Sequence, residues 1–416
     1  MKSGRNFWKN MIENLLVYAN YMFAILMPFS HIWGYLSVSF GIIFLWNFYK
    51  RIEKEKLFYI LIIFIVYGLI INLFSGQPNV GYMTLIGYFS HWLLPFVLGY
   101  GILKAGYFRN IIWGYFTVFG VIVGISIMAY FGLFSPQFLK GFYSEGLVYD
   151  GLLRGLRSHI ALAALCLFAS FFFLAQGLIR KDISVKTRIF FFSLFLFFNF
   201  AILLTGSRGY YIAAFISYFS FSVFWTLKTK NWKIFLLSFF SLSLIAICSY
   251  LFVPVVKERI YKTTSSDLNI QERISLYKVA LQEITSRPFL GYGPGQGIKQ
   301  QKYFDMLPDN LKKVGRHPHL HSFYLNFTAD FGLVGLLIFA AIAYFIFTGL
   351  IKTFRSTDLF LAAIAIGVFW GFIGIFIGDS FDTLLGGPGV AMELFWFLGL
   401  IFSQSRNSLC KSAEQQ

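Results

Sequence analysis

Acidic residues are scarce in this chain: 18 Asp and Glu stand against 35 Lys and Arg over 416 residues, a formal charge of +17. Charged residues of both signs make up only 13% of it, about half the share usual in soluble domains. A water-soluble globule cannot be covered with so little charge, so that class is excluded. Cysteine is rarer still. Cys166 and Cys248 lie inside apolar runs and Cys410 lies in the tail, which offers neither a disulfide framework nor a thiolate metal site and makes redox chemistry a poor reading. Long hydrophilic segments are missing too, with one exception between Lys257 and Ser322.

What fills the chain is hydrocarbon. Hydrophobic residues reach 57% and aromatic residues 21%, and the mean hydropathy is +0.68, values that belong to polytopic membrane proteins. Apolar blocks fall near residues 14–30, 33–49, 57–74, 82–103, 110–134, 159–179, 188–204, 209–227, 234–256, 323–351, 358–378 and 390–403. They are apolar on every side over roughly 17–25 residues, the length of a spanning helix, whereas a transmembrane barrel would alternate apolar and polar in strands of about ten. The expectation is an all-α polytopic membrane protein with about twelve transmembrane helices. The first block follows Lys2, Arg5 and Lys9 without a small-residue cleavage site, so it is expected to be retained as a span.

The placement of positive charge sets the orientation. Short basic connectors follow every even-numbered block and, with the N-terminus, hold twenty of the 35 Lys and Arg, while the odd connectors Ser30–Ile32, Ser75–Gly81 and Asp379–Gly389 hold none. By the positive-inside rule both termini are cytoplasmic and Lys257–Ser322 faces outward. The chain then divides into nine spans over 1–256, a large outer loop over 257–322, and three spans with a cytoplasmic tail over 323–416. The cytoplasmic charges are short scattered loops, not one basic domain, which argues against nucleic acid as a partner. Fifteen positive residues lie on the disfavoured side: Lys140, Arg154, Arg157, Arg208 and eleven in the large loop. A long loop tolerates charge; the few residues of Thr205-Gly-Ser-Arg-Gly-Tyr210 do not have that latitude.

The large loop is expected to be partly helical. Ile270, Ile274, Tyr277, Leu281 and Ile284 recur at helical spacing as one apolar stripe, Asn269 and Glu272 fit a capping box, and Pro288 ends the helix. The glycines of Gly291-Tyr-Gly-Pro-Gly-Gln-Gly297 permit positive φ and close backbone approach. His317, His319 and His321 then fall within five positions beside Arg316, just before the next apolar block, so any imidazole here sits where water meets membrane.

Arg208, at the outer end of the eighth block, would add a fixed charge to the unpaired amides of a helix N-terminus, which together make a phosphate site. The same side chain at that depth also snorkels to the interface with no ligand. Arg273 lies in the first turn of the loop helix, where a surface Arg is normally solvated. A neutral imidazole at His321 can take a proton from a sugar hydroxyl near neutral pH, and Lys312, Lys313 and Arg316 would favour that neutral form. The three histidines at i, i+2 and i+4 through Pro318 suit an extended segment without an H-E-x-x-H or Cys partner, and Asp379 and Asp382 are not spaced as D-x-D. A metal site is therefore not expected.

His321-Ser322, nine intervening residues and Gly332-Leu-Val-Gly335 resemble the H-[NSQ]-x9-G-x-x-[GTY] signature of bacterial O-antigen ligases. His319 matches the H-x-H form of the wider ligase and O-antigen polymerase superfamily. The Ser-Arg-Gly element with Arg208, the Arg273 helix followed by Pro288 and a glycine-rich turn, and the large loop between spans nine and ten are also similar. Ser322 stands where the ligase motif often has Asn, and the polymerases and protein O-oligosaccharyltransferases of the superfamily share most of this loop. The resemblance implies an inverting, metal-independent glycosyltransferase of GT-C type, without a cofactor, at the periplasmic face of the bacterial inner membrane. Its donor would be an undecaprenyl pyrophosphate-linked glycan and its acceptor the lipid A-core oligosaccharide. By matching position His321 would be the base, Arg208 and Arg273 would hold the donor pyrophosphate, and His319 and Arg316 would assist. Lys140, Arg154 and Arg157, basic residues of another outer loop, are assigned to the phosphorylated acceptor. A lipid-glycan transporter or flippase is the competing class, but transporters place ionisable groups or helix breaks at the midplane in matching halves, and the first nine blocks have almost no acid at their centres.

Overall fold

A computed structural model of the chain describes residues 2–43, 52, 55–102, 105–133, 148–149, 151–156, 158–233, 247, 250–251, 254–261, 268–297, 305, 309 and 320–414. Helices coincide with eleven of the apolar blocks: α1 (Lys2–Leu26), α2 (His31–Ile43), α3 (Lys56–Asn72), α4 (Pro78–Tyr88) continuing into α5 (Leu94–Tyr100), α6 (Ala105–Tyr130), α7 (His159–Ile179), α8 (Val185–Leu204), α9 (Arg208–Thr229), α12 (Phe323–Thr353), α13 (Leu359–Gly378) and α14 (Pro388–Glu414). The ninth block falls largely outside the described residues. The hydrophilic segment contributes α10 (Pro254–Tyr261) and α11 (Leu268–Ser286). Among the described residues the strands are a two-residue antiparallel pair, β1 (Val148–Tyr149) and β2 (Leu152–Leu153). By length and composition α6, α7, α8, α9, α12 and α13 can each cross a membrane, so the chain is an all-α multi-pass membrane protein.

The helices form where hydrocarbon length allows them and break where backbone chemistry requires it. Between α4 and α5 the helix widens into a π-turn, Phe89–Leu93. Pro95, one turn on, has no N–H to give the His91 carbonyl, and its ring crowds that oxygen. The hydroxyl of Tyr35 meets His91 Nε2 there at 2.5 Å.

Packing divides the chain into two compact units, Met1–Tyr115 with Leu268–Thr353 and Asp379–Gln416, and Phe116–Asp267 with Phe354–Gly378. The first is built around aromatic rings. Trp92 stacks on Phe64 at 5.2 Å and on Phe395 at 5.3 Å, Phe64 stacks on Phe327 at 5.4 Å, and the Trp92 indole donates to the Leu385 carbonyl at 2.7 Å. Stacked rings at these separations add to the burial of their area. α5 and α14 touch backbone to backbone, because a Cβ on Gly99 would fall 2.3 Å from the Trp396 carbonyl oxygen and one on Gly399 2.0 Å from that of Phe96. Small residues at such crossings take the place of the hydrophobic drive that lipid removes.

The second unit packs α7 against α8, α9 and α13. α7 is buried along most of its length, as a helix surrounded by other helices must be. Phe116 stacks on Phe172 at 3.9 Å. Three of its polar groups pair with one another: the Tyr218 hydroxyl bonds to Ser170 Oγ at 2.5 Å and Asn199 Oδ1 at 2.8 Å, as suits a site facing hydrocarbon.

Candidate active site

α11 carries the hydrophilic segment onto the first unit, with a different face from the one the apolar stripe predicts. Leu276, Val279, Ala280 and Glu283 are buried, while Ile274 and Leu281 are 49% and 56% exposed. Leu276, Val279 and Ala280 pack with Leu320 and Ala329, and Ile284 and Tyr292 border that core. Positions 276, 279, 280 and 283 follow helical spacing as faithfully as the predicted stripe, but a Glu in the series hides it from a hydrophobicity count. The expected cap also shifts: α11 already includes Leu268, so Asn269 is its second residue and not its N-cap. The helix ends at Ser286, two residues before Pro288, as that proline requires.

Beyond Pro288 the chain is stitched into a break in α12. Gly332 sits at φ 67° and ψ −173°, a conformation outside the helical region. The break frees the amides of Leu333 and Val334 to donate to the Pro288 and Phe289 carbonyls at 2.8 and 3.3 Å, and the carbonyls of Ala329 and Asp330 to accept from Tyr292 and Gly293, each at 2.9 Å. The Tyr67 hydroxyl takes the Phe331 carbonyl at 2.7 Å. A Cβ on Gly332 would lie 2.2 Å from the Phe289 oxygen, so the first glycine of the G-x-x-G signature is where the loop enters the span. Gly291, Gly293 and Gly295 have positive φ, as the glycine-rich turn predicts. The same turn reaches the α3–α4 connector, where Gln296 Nε2 donates to the Gln77 carbonyl at 2.6 Å.

His321 lies at the opposite end of this contact. Leu320, fully buried, anchors the residue before it, and the Phe323 amide donates to the carbonyls of Asp379 and Asp382 at 2.9 and 2.7 Å. Between these anchors His321 adopts φ 51°, a left-handed conformation that among the described residues only Lys230 shares outside glycine. A non-glycine residue there is uncommon and tends to mark a functional or strained position. The imidazole is half-buried, with Nδ1 inside.

The turn that receives Phe323 also receives α11. Arg273 Nη1 donates to the Phe381 carbonyl at 2.8 Å, and the Tyr277 hydroxyl lies 3.1 Å from the Ser380 carbonyl and 3.2 Å from that of His321. The turn is shaped by its own acids. Asp379 Oδ1 and Oδ2 accept from the Leu384 and Leu385 amides at 3.2 and 2.8 Å, capping the short 3-10 turn Leu384–Gly386, and Asp382 Oδ1 accepts from Thr383 at 2.8 Å. Burial pushes the Asp379 carboxyl well up from its ordinary range; the Leu385 amide opposes this, Asp382 adds to it and the Leu384 amide opposes again. Both Asp379 oxygens are thus committed to backbone amides. Arg273, half-buried, and His321 are brought onto one turn, which the sequence did not indicate.

In the second unit Arg208 is the first residue of α9, preceded by Gly206 at φ 65° and by Ser207, whose side chain makes no capping hydrogen bond. The expected helix N-terminus is therefore there, with Arg208 half-buried on it. Arg154 follows β2 and is half-buried. Arg316, His317, His319, Lys140 and Arg157 lie outside the described residues. The 379–383 turn, Tyr277 and Glu283 were missed by sequence reasoning; the absence of positive charge in Asp379–Gly389 placed that connector on the loop's side of the membrane but could not bring it to His321.

In this multi-pass helical protein the Arg273 guanidinium is bound to the 379–383 turn, and Tyr277 joins that turn to the His321 carbonyl. Residues 189–340 match the family model described as O-Antigen ligase. No curated protein matches the chain.

Proposed function

We propose that this protein is an O-antigen ligase, an inverting, metal-independent glycosyltransferase of GT-C type that moves a glycan from undecaprenyl pyrophosphate to the lipid A-core oligosaccharide. About twelve spans would place both termini in the cytoplasm and residues 257–322 at the periplasmic face of the inner membrane. The observation that carries the reading is His321, a left-handed residue pinned on both sides and joined through α11 and the 379–383 turn to Arg273.

The neutral His321 imidazole takes the proton of an acceptor sugar hydroxyl as that oxygen attacks the anomeric carbon of the donor. The glycosyl–phosphate C–O bond breaks on the opposite side, and its electron pair leaves on the pyrophosphate, inverting the centre. Arg273 and Arg208 are assigned to that leaving group, whose charge grows in the transition state. His319 and Arg316 support the base, and Lys140, Arg154 and Arg157 are assigned to the phosphorylated acceptor.

Transfer by purified protein from a lipid-linked glycan to lipid A-core tests the reading. His321→Ala is expected to remain monodisperse and to bind donor while losing transfer, and wild-type activity should fall as acid protonates the imidazole, with chelator making no difference. Full activity in His321→Ala sinks the base. Product that grows on the carrier and never reaches the core identifies a polymerase instead.

A further inference from the structure

Arg273 and Tyr277 are one helical turn apart on α11 and so share a face. Both reach the 379–383 turn: Arg273 Nη1 holds the Phe381 carbonyl and the Tyr277 hydroxyl holds that of Ser380 at 3.1 Å. Only Tyr277 also reaches the base, since its hydroxyl lies 3.2 Å from the His321 carbonyl. One phenolic proton is therefore shared between two carbonyls from different connectors. Leu320 and Phe323 fix the chain on either side of His321. A left-handed backbone is disfavoured for a residue that carries a Cβ, so a grip on the His321 carbonyl helps to hold it. Holding that carbonyl fixes ψ at His321 and with it the backbone from which the imidazole projects.

We propose that Tyr277 is the positioning residue of the base: its hydroxyl grips the His321 carbonyl, locks the left-handed backbone from which the imidazole projects, and ties it to the turn that also holds Arg273. This rests on His321 being the base. Burial raises the Tyr277 pKa, which Arg273 opposes and Asp382 reinforces, so the phenol keeps the proton it donates. The role is not catalytic, because the hydroxyl spends its proton on backbone.

The test is a kinetic cycle on purified full-length protein with Tyr277→Phe, His321→Ala and the double variant, each with its melting temperature and followed through long incubations. Phe keeps the ring and its packing and removes one oxygen. Tyr277→Phe is expected to lower kcat about 10- to 100-fold, the size of effect that a small misplacement of a reacting group produces, with the donor KM and melting temperature unchanged. The double variant should be no slower than His321→Ala, since two residues acting through one imidazole do not add. Wild-type kcat in Tyr277→Phe, a loss that follows a lowered melting temperature or a raised donor KM, or multiplicative losses in the double variant would each overturn the positioning role. Wild-type activity in His321→Ala overturns the base reading instead, and is read independently of Tyr277.

Discussion

At Glu283 a carboxyl group is held fully out of water, and neither oxygen has a hydrogen-bond partner among the described residues. Asp330 lies beside it, with Oδ1 taken by the Gly297 amide at 2.9 Å. Burial, reinforced by the Asp330 charge, pushes the Glu283 pKa up to about 8, so the folded chain keeps a proton that an unfolded Glu releases near 4.3. Between those values the native state binds more protons than the unfolded one, and stability falls as pH rises until it levels off above about 8. Glu283→Gln is expected to flatten that slope and to raise the melting temperature at pH 8 relative to pH 5. A thermal-shift series over pH 5–9 on both proteins checks this, and an unchanged slope would show that Glu283 is already ionised. Of the candidate residues, His321, Arg208 and Arg273 were legible because a signature or a misplaced charge singled them out. Tyr277 and Glu283 were not, because their significance lies in atoms more than thirty positions away.

α12 shows how an element can be predicted correctly and still conceal its main feature. Hydropathy predicts a span near 323–351, and the helix is there, yet it breaks at Gly332 to accept the carbonyls of Pro288 and Phe289. Inside hydrocarbon a broken helix leaves amides that need partners, and the segment after α11 supplies them. Gly332→Ala places a methyl group against backbone oxygen in a conformation open almost solely to glycine, which costs of order 1–3 kcal/mol. It should lower the melting temperature and increase proteolysis of the 288–297 segment before any other. Unchanged limited proteolysis together with full thermal stability would show that the break does not hold the loop. α11 carries the complementary lesson: its existence was legible from periodicity and proline, whereas its buried face was decided by the surface that Leu320 and Ala329 offer.

For the whole molecule, the connectors that lack positive charge and the large hydrophilic segment meet in the first unit, Gln77 through Gln296, and Ser380 and Phe381 through Tyr277 and Arg273. Such a meeting is what one side of a membrane requires. Leu281→Cys, on the exposed face of α11, should react with a membrane-impermeant thiol reagent applied from the periplasmic side; reaction only after the cytoplasmic side is opened would reverse the topology. Sequence alone determined the helical class and the positions of the apolar blocks, because hydrophobic length is a property of the chain itself, and the placement of Lys and Arg set the expectation for the side of each connector. Resemblance to a family signature also marked His321 and Gly332. Only the tertiary structure decided that His321 is left-handed, that Gly332 is a docking break, and that the 379–383 turn joins Arg273 to His321. Those outcomes are hydrogen bonds to backbone carbonyls between segments more than thirty positions apart, and every residue carries the same carbonyl, so no side-chain pattern records which of them will be taken.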